Sequence, residues 1–213
     1  MIRFSLFRIP IVVEGWFWLT CAFLGGAMNA SRPEDWIQVL VWTAVVFGSI
    51  IVHELGHALV GRHFGADPAI RLHGLGGSTF LPQGRFSRTE NILVTAAGPT
   101  AGLLLGVLIY VLSRVGLSDS PNPLLGLAAR YGLFINFVWS LLNLLPILPL
   151  DGGQILRDVL GPRWKNLVSN IGFVLAAVLC VWAVQAGYLF GAVMLAMLAY
   201  QNFRKEASFP GLG

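Results

Sequence analysis

Charge is what this sequence has least of. Asp, Glu, Lys and Arg together make up 11% of its 213 residues, against roughly a quarter in a soluble domain. That shortage excludes an ordinary water-soluble globule. Cysteine is almost as scarce. Cys21 and Cys180 both lie in apolar runs, which excludes a disulfide scaffold and reads as two small buried hydrophobes. No Lys- or Arg-rich run accompanies the formal charge of +4, so nucleic acid is not an expected partner; basic cytosolic loops give a membrane protein the same balance. Arg3 and Arg8 precede an apolar run, but no small-residue cleavage site with a soluble domain beyond it follows, so a cleavable signal peptide is not expected. Internal repeats and low-complexity segments are also missing.

What remains is apolar. Hydrophobic residues make up 56% of the chain and mean hydropathy is +0.73, which describes an integral membrane protein. A spanning helix needs about 20 apolar residues. Six segments are candidates: 11–28, 36–60, 91–113, 131–148, 167–185 and the shorter 189–203. The last two are joined by "AGY" and should form a helical hairpin. Between the second and third spans, 66–86 is rich in glycine, proline and β-branched residues. "AIRLHGL", then "GG" and "STFL", suggests two strands and a turn. Such backbone is tolerated at membrane depth only under cover of protein or a wet cavity. The expected fold is an all-α polytopic membrane protein with about six transmembrane helices and a membrane-associated β-hairpin between helices two and three. The whole of 1–213 is expected to be one membrane-embedded domain.

Orientation follows from the basic residues. With the N-terminus in the cytosol, the inside segments hold Arg3, Arg8, Arg62, Arg71, Arg85, Arg88, Arg157, Arg163, Lys165, Arg204 and Lys205. Only Arg32, Arg114 and Arg130 fall outside. This bias predicts cytosolic termini. The second span then runs inward, and His53, seven residues before Val60, lies roughly 10 Å below its cytosolic end.

That span ends in "SIIVHELGHALVG". Residues four apart share a helix face, so His53 and His57 can direct two imidazoles at one metal, with Glu54 beside them to take a proton from a water. Zinc favours nitrogen ligands and keeps one position open in catalytic sites, where it lowers the pKa of water to about 7. An HExxH occurs by chance in many soluble chains. In a membrane span it does not come cheaply, because each charge costs about 2.5–3.5 kcal/mol on insertion scales.

Two residues compete as third ligand. His63 gives "HELGHALVGRH", near the HExxHxxGxxH spacing of soluble zinc proteases, but Val60 stands where their turn glycine belongs. Asp151 follows a proline-broken apolar run in "NLLPILPLDGGQIL". Pro146 and Pro149 should break the helix there, and Gly152 and Gly153 allow close approach. Asp151 alternatively caps a helix starting near Gly152.

"HELGHALVGRHFG" and "NLLPILPLDGG" together resemble the site-2 protease family of intramembrane metalloproteases. "AAGPTAG" at 96–102 and "FRIPIVVEGWFWL" near the N-terminus are similar to further family segments. The resemblance covers about 7–165 and implies one zinc ion held by His53, His57 and Asp151, with Glu54 as general base. It also implies an asparagine upstream of the aspartate, matched by Asn143, that hydrogen-bonds the substrate backbone or the oxyanion; Asn136 is a similar, weaker match, and a helix–helix hydrogen bond is the alternative role. Glu14 and Gly102 depart from the family's common histidine and asparagine. The expected activity is hydrolysis of a peptide bond in or near a transmembrane segment of a membrane-protein substrate, within regulated intramembrane proteolysis of a prokaryotic cell membrane. Expected partners are that substrate, the lipid bilayer and a regulatory membrane protein or second copy. The hairpin edge is expected to pair with unwound substrate. PDZ and CBS modules are not expected. A metal transporter and an inactive, partner-binding homologue are the alternatives. A transporter should spread ionisable groups across the bilayer, and an inactive homologue has no evident use for Glu54.

Overall fold

Four helices are long and apolar enough to cross a bilayer in the computed structural model, which describes residues 1–117 and 122–204: Pro33–His63, Arg88–Gly116, Pro123–Asn143 and Pro162–Gln185. Gly15–Leu24 and Leu189–Phe203 are shorter apolar helices. Lys205 and part of the 114–130 connection lie outside the described residues. The described chain forms two compact units.

The first unit comprises Met1–Arg85 and Ala97–Ser140. It opens with strands β1 (Ile2–Leu6) and β2 (Ile9–Val13), then helix α1 (Gly15–Leu24). The expected first span at 11–28 is therefore corrected. Ten residues of α1 reach only about 15 Å, half of the roughly 30 Å hydrocarbon core. The signal lay in period-two burial, since Ile9, Ile11 and Val13 are all fully buried and point to one face of a strand. Phe7 and Arg8 both take positive φ, 51° and 64°, as the central pair of a tight hairpin turn requires.

Helix α2 (Pro33–His63) carries the site. Pro33 sits at its first position, and Asp35 accepts hydrogen bonds from the backbone N–H groups of Ser31 and Arg32 at 3.2 and 3.0 Å. Those bonds meet donors that a helix start would leave unpaired. Its 31 residues extend about 46 Å, longer than a bilayer core.

Strands β3 (Ala69–His73) and β4 (Gly76–Phe80) confirm the hairpin expected at 66–86. They belong to a four-stranded sheet of order β1-β2-β3-β4, in which β2 and β3 are parallel and the outer pairs antiparallel. Arg71 and Leu72 pair with Val12 and Val13 on one side and with Ser78 and Gly77 on the other. β3 therefore offers no open edge; the open edge on this side of the sheet belongs to β4. Ile9, Ile11, Val13, Ile70 and Leu72 join Phe17, Ile50, Ile51 and Leu55 in the core of this unit. The unit also holds the later part of helix α3 (Arg88–Leu112) and most of helix α4 (Pro123–Asn143). α4 starts eight residues before the expected 131 and ends five before the expected 148, because the chain breaks ahead of Pro146.

The second unit comprises Phe86–Ala96 and the described residues from Leu141 on. It contains helices α5 (Asp151–Leu160), α6 (Lys165–Gln185) and α7 (Leu189–Phe203). The helical hairpin expected across "AGY" is α6–α7. Its core includes Ile147, Ala176 and Ala199. The helix expected near Gly152 is α5, but Leu150 is its N-cap and Asp151 its first residue, so Asp151 does not hold the cap position expected of it as the alternative to a metal ligand.

Candidate metal centre

The three ionisable residues of "HELGH" sit on the buried face of α2: His53, Glu54 and His57 are 4%, 5% and 9% exposed. The two imidazoles stand nearly perpendicular, at 76°, with Nε2 atoms 3.2 Å apart. Two nitrogens bound to a tetrahedral zinc at 2.0–2.1 Å would lie about 3.3 Å apart, so the spacing fits two ligands of one ion. His57 owes its placement partly to the "AAGP" segment. A Cβ on Gly98 would fall on the His57 ring, with Nε2, Cε1 and Cδ2 its nearest neighbours. Glycine at 98 is the condition for α3 to lie against the imidazole.

Glu54 meets β4. Its Oε2 accepts a hydrogen bond from the Thr79 hydroxyl at 2.7 Å, and its backbone carbonyl lies 3.1 Å from the same hydroxyl. Thr79 is a residue that sequence reasoning missed. Its signal was only the alternation of "GGSTF" in the expected returning strand.

In the second unit, Asp151 is 8% exposed at the start of α5. Leu150 is the N-cap of that helix, and Asp151 follows as its first residue. A Cβ on Gly152 would strike the carbonyls of Leu144 and Leu145, and one on Gly153 would meet the Ile147 and Leu148 backbone. The paired glycines thus let α5 begin tucked against the loop that leads into it. That loop is held from α7, where the buried Asn202 donates from Nδ2 to the Leu148 carbonyl at 2.5 Å and to the Leu198 carbonyl at 2.8 Å. Asn202 is a second residue missed in the sequence, where α7 shows no motif.

Among the described residues, His53 and His57 of the first unit and Asp151 of the second form the candidate group of metal-ligating side chains, and all three are buried. Two neutral imidazoles and a carboxylate leave a fourth position open, a donor set that fits zinc. His63 is exposed at the end of α2, its ring against Phe64, and lies outside the group.

The other expected residues are placed as follows. Asn143 ends α4, half-buried. Asn136 is 2% exposed and donates from Nδ2 to Ser49 Oγ at 2.9 Å and to the Gly132 carbonyl at 2.8 Å. It ties α4 to α2. Glu14 lies 3.8 Å from Arg71, and a Cβ on Gly102 would press on Ser140 Oγ, so both departures from the family pattern have local partners.

Comparison with known proteins bears on the same segments. The family described as Peptidase M50B-like matches residues 35–150, and Peptidase family M50 matches 122–179. A protein of Synechocystis named as a candidate zinc metalloprotease is 32% identical over 96% of this chain and 54% of its own length. A zinc metalloprotease of Methanocaldococcus jannaschii is 24% identical over 96% of this chain and 59% of its own. The chain thus spans little more than half the length of these relatives. In fold it is similar to the solved site-2 protease from Methanocaldococcus jannaschii, with a TM-score of 0.66 and 24% identity over 96% of this chain and 94% of that one. With both signature segments inside the matched regions, the chain belongs to peptidase family M50, the site-2 protease family of zinc metalloproteases.

Proposed function

We propose that this chain is an intramembrane zinc metalloprotease, with 1–213 acting as one membrane-embedded protease domain, that hydrolyses a peptide bond in or near a transmembrane segment of a membrane-protein substrate. The observation that carries the reading is the burial of His53, Glu54, His57 and Asp151 in a chain of apolar spans. These four are the buried titratable groups of His, Asp or Glu type among the described residues. A transporter would need such groups along a path, and the remaining buried polar residues are serines and asparagines.

In this reading His53, His57 and Asp151 hold the ion. The chemistry a bound zinc supplies is Lewis acidity toward the scissile carbonyl and toward water. Glu54 removes a proton from the attacking water and returns it to the leaving amine. Its burial keeps bulk water from competing for that proton. Asn143 is assigned to the substrate backbone, whereas the amide hydrogens of Asn136 are spent on helix packing. A substrate helix must unwind before its carbonyl is accessible, and the edge of β4 can receive the unwound strand. Cytosolic termini, a site near the cytosolic face and a role in regulated proteolysis complete the proposal.

The experiment is zinc content of the purified protein in four forms. Wild type, His63→Ala and Glu54→Gln should hold one zinc, and Asp151→Ala should lose it. Glu54→Gln should also stop cleavage. Loss of zinc from His63→Ala instead would move the third ligand into α2 and overturn the assignment of Asp151.

A further inference from the structure

Glu54 must do more than be present. A glutamate has three side-chain torsions, and a general base works only with its carboxylate held within hydrogen-bond reach of the proton it takes. Held to one geometry it transfers the proton at once; swinging, it does so for a fraction of the time. Something must therefore fix it, and the structure supplies β4.

Two residues of β4 meet Glu54. They are Gly77 and Thr79, two apart and so on one face of the strand. A Cβ on Gly77 would lie 2.5 Å from Glu54 Oε1, 2.6 Å from Cγ and 2.7 Å from Cδ, so the glutamate side chain lies flat on the strand at that position. Thr79 then closes on it, with Oγ1 at 2.7 Å from Oε2 and 3.1 Å from the Glu54 carbonyl. A hydroxyl has one proton, and the shorter, charge-assisted bond to the carboxylate takes it. Ser78, between them, faces the other way and lies 2.9 Å from His73 Nε2. The register fixes Thr79 in turn, since it pairs with Ile70, which is 1% exposed in the core.

We propose that Thr79 is the positioning residue of the general base: its hydroxyl holds the Glu54 carboxylate in the one orientation that accepts the proton, and Gly77 gives the space in which that orientation exists. The catalytic consequence rests on the zinc-protease reading above; the contact itself does not.

The test uses Thr79→Val, which keeps the shape and removes the hydroxyl, and Thr79→Ser, which restores it. With fluorescein-labelled casein in detergent micelles as probe, Thr79→Val should lower kcat about 10- to 100-fold, the worth of one hydrogen bond to a charged group. KM and zinc content should stay unchanged, and Thr79→Ser should recover most of the rate. A raised KM at unchanged kcat would assign Thr79 to substrate docking and overturn the proposal. Equal losses in the valine and serine variants would do the same. A second readout needs neither zinc nor turnover. In the metal-free protein, Thr79→Val should lower the thermal midpoint by about 3–11 °C, and should lower it far less in a Glu54→Ala background. Additive shifts would overturn the contact whatever the probe does. Continued cleavage by Glu54→Gln would instead sink the zinc-protease reading while leaving the thermal coupling to stand or fall alone.

Discussion

Alanine at position 98 should weaken the metal site without altering any ligand. The Cβ it adds would have three His57 ring atoms as its nearest neighbours, with Cδ2 at 2.7 Å and Nε2 and Cε1 nearer still. Carbon atoms at optimal contact stand about 3.5–4.0 Å apart, so ring or helix must yield by about 1 Å. A metal–nitrogen bond tolerates only about 0.2 Å. The added methyl and the metal therefore compete for the position of one imidazole. Overpacking of this kind costs about 1–3 kcal/mol. If the ring gives way in the apo protein and must be forced back to bind, that cost appears as zinc affinity weakened about 5- to 150-fold. The assay is competition against a chromogenic chelator with protein in detergent. Gly48→Ala is the control, because it lies on α2 and a Cβ there meets nothing within 4 Å. It should keep wild-type affinity and gain slightly in stability from helix propensity. A folded Gly98→Ala protein binding zinc as tightly as wild type would refute the idea that this contact sets the imidazole.

Asn202→Leu should lower both the thermal midpoint and zinc affinity, because it removes the bond that holds the Leu148 carbonyl three residues before Asp151; a chelator competition that shows wild-type affinity would restrict Asn202 to packing. Asn136→Leu should destabilise by about 0.6–1.7 kcal/mol, the range for hydrogen bonds between membrane helices, with zinc content and KM unmoved. A KM raised several-fold would return Asn136 to the substrate.

The spans from α2 onward were legible because length and apolarity alone define them, and "HELGH" was legible because ionisable groups in such a span need a reason. The N-terminal segment was misread for an equally physical cause. "IPIVVEGWFWLTCAFLGG" is apolar apart from Glu14 and Thr20, and a largely apolar run does not distinguish a buried strand followed by a short helix from one span. Only the sheet partner decides, and β2 finds it in β3, some sixty residues later. Thr79 and Asn202 were silent for a different reason. A hydroxyl or amide that supports a buried carboxylate or carbonyl has no spacing rule to announce it; its meaning lies in a contact with residues 25 and 54 positions away.

Neighbouring residues on α2 are thus fixed by different elements. His57 is set by the approach of α3 at Gly98, and Glu54 by β4 at Gly77 and Thr79. Metal retention and proton transfer therefore depend on separate contacts, although their side chains are only three positions apart in sequence. Separate contacts can be removed separately. Gly98→Ala should lose affinity for zinc and, once saturated with it, turn over at a rate close to wild type. Thr79→Val should hold zinc normally and turn over slowly at any zinc concentration. If excess zinc rescued Thr79→Val, β4 would be acting on the ligands through α2 rather than on the base, and the separation of the two functions would fail.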